Sequence, residues 1–113
     1  MIVFVAGSRR EIVEPTLATL KKYGLQINDW KELLAVQGYV CAICKKIPSS
    51  GRFVIDHVHV QGYKTMKSEK KKLWVRGILC HHCNRFYVAK GITIIKARYV
   101  YDYLMDFERR RPK

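Results

Sequence analysis

The sequence predicts an α+β domain in which a β-hairpin and a short helix are clamped together at one point, with further helices on both sides. Three observations carry this expectation. Two Cys-x-x-Cys pairs, Cys41/Cys44 in "CAIC" and Cys80/Cys83 in "CHHC", bracket residues 45 to 79. Between them "FVIDHVHV" and "LWVRGIL" are rich in β-branched and aromatic residues and are joined by a basic stretch. Outside them, apolar residues recur at three- and four-residue spacing, as on one face of a helix.

Taken in order, the apolar start "MIVFVA" is too short to cross a bilayer and lacks both a preceding basic region and a cleavage signature. The chain therefore reads as unexported, with a cytoplasmic location. Pro15 suits a first helical turn, with Leu17, Leu20 and Tyr23 on one side and Gly24 as the stop. Asn28 is placed to cap a second helix carrying Trp30, Leu33 and Leu34 and ending at Gly38. After the turn "IPSSGR", residues 53 to 60 and 73 to 79 form the two arms of a hairpin, with residues 61 to 72 as a basic loop. "CHHCNRFYVAK" suits a helix closing at Gly91. A last helix starts after Thr93, bears Ala97, Val100, Tyr101, Leu104 and Phe107 on one stripe, and finishes at Arg109 to Arg111 and Pro112. The 113 residues make one domain: an N-terminal helical segment over 1–38, a core over 39–91 and a C-terminal helix over 92–113.

Each Cys-x-x-Cys turn can aim two thiolates at one ion, so the two pairs predict a tetrahedral zinc site, one zinc per chain. Two disulfides or a redox pair are the alternative, which suits an exported protein better than this one. With four thiolates filling the zinc, His81 and His82 are read as exposed. A domain this short has a thin core, and a structural ion offsets that.

The balance of 22 Lys+Arg against 9 Asp+Glu, a formal net charge of +13, points to a polyanionic partner, of which nucleic acid is the commonest. A membrane partner is disfavoured, because no long apolar helix or lipidation signal accompanies the charge.

Asp56 and His57 interrupt the first arm of the hairpin. Successive strand side chains point to opposite faces, so one buried face cannot absorb both, and the strand is expected to offer a polar site. Asn84 follows Cys83 directly and lies about 100° round the helix from it, so it can face the hairpin while Cys83 faces zinc. An aspartate and an asparagine oxygen are hard ligands suited to Mg²⁺ or Mn²⁺, leaving coordination positions for water and phosphate oxygens. His57, with an ordinary pKa near 6.5, is a usable general base at neutral pH. That combination is suited to phosphodiester cleavage.

Together "KKYGL" through "VQGYVCAIC", "DHVH" and "VRGILCHHCN" resemble the recombination endonuclease VII family of bacteriophages and bacteria, within the wider HNH nucleases, over roughly residues 20 to 90. The resemblance implies a zinc-stapled ββα-metal (His-Me finger) nuclease core with flanking N- and C-terminal helices. It implies that Asp56 and Asn84 hold the catalytic Mg²⁺ or Mn²⁺, that His57 is the general base, and that His59 contacts or orients the scissile phosphate. It also implies zinc at Cys41, Cys44, Cys80 and Cys83, a homodimer built from helices flanking the motif, and action on branched DNA such as Holliday junctions. The sequence departs from the family's best-known member at Val58 and Tyr87, both acidic there. Lys64, Lys67, Lys70, Lys71 and Lys72, with Arg76 and Arg85, are the expected contacts to the DNA backbone. Two other readings keep much of this: an HNH nickase without junction selectivity, and a non-catalytic zinc-bearing DNA-binding module that has no need of Asp56, His57 and Asn84.

Overall fold

Two separate antiparallel hairpins organise the chain, and the computed structural model describes residues 1–88 and 91–111 of it. The first hairpin pairs Ile2–Val5 (β1) with Ser8–Glu11 (β2) around Ala6 and Gly7, whose φ angles are 52° and 79°. Positive φ at both central residues is what a tight two-residue hairpin turn requires. Val3 and, just after β2, Ile12 enter the core, whereas Ile2 and Phe4 face out. This corrects the expectation of a helical segment over 1–38, since a hairpin takes its first part and helices begin only at Leu17.

The first helix, Leu17–Lys22 (α1), is capped by Thr16, whose hydroxyl accepts from the Thr19 N–H, so Pro15 precedes the cap instead of entering the first turn. The second, Ile27–Val36 (α2), is capped by Gln26 and not by Asn28. Its reciprocal lock is Asp29, whose carboxylate accepts from the Gln26 N–H at 2.8 Å. Gly24 and Gly38 end the two helices as expected, at φ +68° and +75°. Leu20, Leu25, Trp30 and Leu34 bury the inner face of this helix pair against Ile47, Ile55 and Ile78. Burial of a side chain of this size is worth about 1.5–3 kcal/mol, so this cluster is the main source of hydrophobic stability.

The second hairpin pairs Val54–His57 (β3) with Val75–Leu79 (β4). Both strands are shorter than the expected 53–60 and 73–79, because the connection is not an open loop. A 3-10 turn at Tyr63–Thr65 leads into a helix, Ser68–Leu73 (α3), and a bond from the Val58 N–H to the Trp74 carbonyl carries the pairing past β3. The lysine run shows no apolar period, yet straight-chain side chains lose little freedom in a helix. α3 sits against the end of α1, where a Cβ on Gly24 would lie 2.2 Å from the Ser68 carbonyl.

Gly51, at φ +73°, lets the turn before β3 touch the first hairpin: a Cβ there would lie 2.4 Å from the Glu11 carbonyl. The Val13 N–H donates to the Gly51 carbonyl at 2.9 Å, so the N-terminal segment is tied to the base of β3.

After β4 comes a short helix, His81–Phe86 (α4), which stops before Gly91; Ala89 and Lys90 lie outside the described residues. Thr93 caps the last helix, Ile94–Arg110 (α5), as expected, and Pro112 lies outside the described residues. No residue of α5 is buried, so its stripe of Val100, Tyr101, Leu104 and Phe107 is uncovered within the chain. The architecture is α+β, and among the described residues no helix is long and apolar enough to cross a membrane.

Candidate active site and metal centre

The four cysteines come together from three places. Cys41 and Cys44 lie on the turn after α2, Cys80 follows β4 and caps α4, and Cys83 is buried within α4. Their sulfurs all lie within 4.8 Å of one another, and Cys44 and Cys80 are 3.8 Å apart. A tetrahedron with metal–sulfur bonds of about 2.3 Å has edges of about 3.8 Å, so the cluster fits one zinc. All four are free thiols, with Cys44 and Cys80 3.8 Å apart, an arrangement that favours a shared ion over two disulfides.

The thiols differ in environment. Burial pushes Cys41 up, but the backbone N–H groups of Cys44, Cys80 and Ile43 outweigh it and bring its pKa down to about 7. Burial and the neighbouring thiols push Cys83 up to about 12. A dication is what such a set needs, since it stabilises the thiolates of Cys44 and Cys83, which burial holds protonated.

The second centre lies at the end of β3, where the ladder is irregular. Asp56 pairs with Gly77 and His57 with Val75, so the register skips Arg76. A bulge of this kind leaves one residue unpaired and redirects its side chain. The guanidinium of Arg76 turns to Asp56 and grips both oxygens, Nε to Oδ2 at 2.7 Å and Nη2 to Oδ1 at 3.0 Å. Among the described residues Asp56 is the one buried charged residue, 5% exposed, and this fork is its charge partner.

His57 is packed by rings. Tyr63 stacks on it with centroids 4.4 Å apart and planes at 26°, His59 lies at 4.7 Å and Tyr23 at 5.3 Å. Burial lowers its pKa below the ordinary value; the charge of His59 and, more weakly, of Arg76 push the same way against the pull of Asp56. Burial therefore favours the neutral form of the imidazole. One hollow beside it is lined by His59, Gly62, Tyr63 and Thr65, and another by Lys22, Tyr23, Lys64 and Lys71.

Of the three residues expected to meet, two are adjacent on β3 and the third lies on α4, which packs against that strand. Asp56 and His57 are neighbours across the bulge, and His59 joins His57. Asn84 is half-buried on α4, and its side chain makes no hydrogen bond among the described residues; Asp56 is turned to Arg76 instead. Of the lysines, Lys64 and Lys71 line the hollow beside His57, Lys71 5.7 Å above the Tyr63 ring, while Lys67 and Lys70 are exposed elsewhere. Lys72 is drawn to Asp29 at 2.8 Å, a partner the sequence reading did not give it. Arg85 is exposed over the Phe86 ring at 5.4 Å. Sequence reasoning missed Tyr23, Tyr63 and Lys22. Tyr23 had served as a helix-face residue, and the signal for Tyr63 was its Gly62 neighbour, a turn that brings the ring back over His57.

Compared with known proteins, residues 17–106 match the model of the family described as recombination endonuclease VII. The match spans both cysteine pairs, the second hairpin and most of α5, but not the N-terminal hairpin. No curated protein and no solved structure matches the chain.

Proposed function

Because the chain belongs to the recombination endonuclease VII family, a membership that assigns it to the DNA endonucleases, we propose that it hydrolyses DNA phosphodiesters at the end of β3 in a ββα-metal arrangement of β3, β4 and α4. His57 is the general base: a free ring nitrogen takes a proton from the attacking water as its oxygen bonds to phosphorus, the P–O bond to the departing DNA oxygen breaks, and that oxygen takes its proton from solvent water. The observation that carries the reading is the setting of this imidazole, stacked on Tyr63, tilted against Tyr23 and one residue from a buried carboxylate. A positioned base of this kind is worth roughly a hundredfold to ten-thousandfold in rate.

The donor set next to it suits a hard divalent ion. Asp56 and Asn84 would hold Mg²⁺ or Mn²⁺, which when bound supplies charge neutralisation at the scissile phosphate and the leaving oxygen. His59, beside His57, orients the phosphate. Lys22, Lys64 and Lys71 present positive charge on the same side for the flanking backbone, and Lys67, Lys70 and Arg85 extend that field. The zinc cluster lies apart from this chemistry and fixes α4 to the hairpin.

The substrate we propose is branched DNA, cut by a homodimer. One such site accommodates one phosphodiester, so paired cuts across a junction need two sites held at a fixed separation, which a symmetric dimer supplies. Support comes from α5, where Tyr99, Tyr103, Leu104 and Phe107 are all at least half exposed, with no element covering them among the described residues. The test is cleavage of a four-way junction, a linear duplex and a supercoiled plasmid side by side with Mg²⁺, with sedimentation at the same protein concentration. Preferential paired cutting of the junction by a dimer is expected. Equal nicking of all three by a monomer would leave an HNH nickase as the better description.

A further inference from the structure

The bulge that delivers Arg76 to Asp56 has a chemical consequence for the site proposed above. Asp56 offers two oxygens, and both already accept from one guanidinium, at 2.7 and 3.0 Å. With that carboxylate 5% exposed, a divalent ion approaching it meets a cation in contact with the same oxygens. In a site with little water between the charges, the two cations repel each other strongly. Yet Arg76 is not locked in. Its side chain is about a third exposed (34%), it lies at the bulge beside His57, and its three remaining N–H donors are free for an anion.

We propose that Arg76 is a positioning residue that keeps Asp56 closed to divalent ions, and that the ion gains the carboxylate only as the guanidinium transfers to an anionic phosphate of the DNA. This rests on Asp56 being a ligand of that ion. The exchange balances charge: one cation replaces another on a buried carboxylate, and the displaced cation finds an anion. Its consequence is coupling. The ion binds weakly to the protein alone and tightly with DNA, because the free protein must first give up the ion pair. A merely structural ion pair predicts the opposite, since removing Arg76 would then loosen Asp56 and weaken any site built on it.

The test is Mn²⁺ titration of the zinc-loaded full chain without DNA, followed by the paramagnetic resonance signal of free Mn²⁺, for the wild type, Arg76→Gln, Asp56→Asn and the double variant. Arg76→Gln is expected to bind Mn²⁺ about tenfold more tightly than the wild type, and the added Asp56→Asn change to erase that gain. Unchanged or weaker binding by Arg76→Gln overturns the proposal. A gain that survives in the double variant overturns it too, by placing the ion elsewhere. Arg76→Lys keeps a cation near the buried carboxylate but lacks the fork, so it carries the test if Arg76→Gln loses its zinc. A smaller gain of the same sign is expected from it, and no gain overturns the proposal. Failure of the functional reading itself looks different, because Asp56→Asn would then cut DNA at the wild-type rate.

Discussion

The side-chain amide of Gln37 bonds the backbone of Ile78 twice, accepting from its N–H at 2.9 Å and donating to its carbonyl at 2.8 Å. It thereby does for the outer edge of β4 what a third strand would do, and it ties α2 to the strand that leads to Cys80. The same Nε2 also donates to the Val40 carbonyl at 3.0 Å, fixing the entry to the first cysteine turn. One side chain thus aligns both halves of the zinc cluster.

Gln37→Ala should accordingly destabilise the fold by about 2–3 kcal/mol, because Ile78 is fully buried and its N–H would be left without a partner. Denaturant unfolding measures this directly. The variant should also release zinc to a chelator faster than the wild type. A loss no larger than that of a surface substitution would show that water replaces the amide.

Zinc removal should be more drastic. One zinc per chain is expected by elemental analysis, and Cys41→Ser or Cys83→Ser should lower both zinc content and cooperative unfolding, since structural zinc supplies folding free energy in small domains. Cys41 and Cys83 are buried, so their loss also opens the smaller core cluster with Leu79. Retention of a cooperative thermal transition after complete chelation would contradict this.

Asp29 predicts a pH signature. Its carboxyl is held below the usual range first by the hydrogen bond from Lys72, then by the Gln26 backbone N–H. A group whose folded pKa is depressed binds fewer protons folded than unfolded, so its contribution is complete above the unfolded value of about 3.9 and is lost as pH falls through the folded value. The Lys72 pair is partly exposed and contributes little, so the cap dominates. Asp29→Ala should therefore cost about 1 kcal/mol at pH 6, and the gap to wild type should close in acid. A gap that is constant down to pH 2 would mean that the carboxylate charge plays no part.

The cysteine frame was legible because Cys-x-x-Cys spacing is nearly a geometric statement, and the helix ends at Gly24, Gly38 and Thr93 because each solves a local backbone problem. The first hairpin was not. Ser8–Glu11 has no apolar alternation, and only Ala6-Gly7 marked the turn. α3 was hidden for a similar reason, a helix of lysines with no buried face. Strand alternation put Asp56 and His57 on opposite faces and left Arg76 outside, facing DNA. The bulge changed that, and a one-residue register shift has no signature in composition or period. Chemistry-bearing residue types were therefore readable, whereas their partners depended on tertiary register.

Whether His57 drives metal-dependent cleavage of DNA is decided by comparing wild type with His57→Ala on a four-way junction, with and without added Mg²⁺, alongside binding of the same DNA. His57 is half-buried and makes ring contacts but holds no buried charge, so the fold should survive its loss. The expected result is cleavage by the wild type only with Mg²⁺, a loss of roughly a hundredfold or more in His57→Ala, and nearly unchanged binding. Cleavage by His57→Ala at the wild-type rate, or binding without any cleavage by either protein, would contradict it.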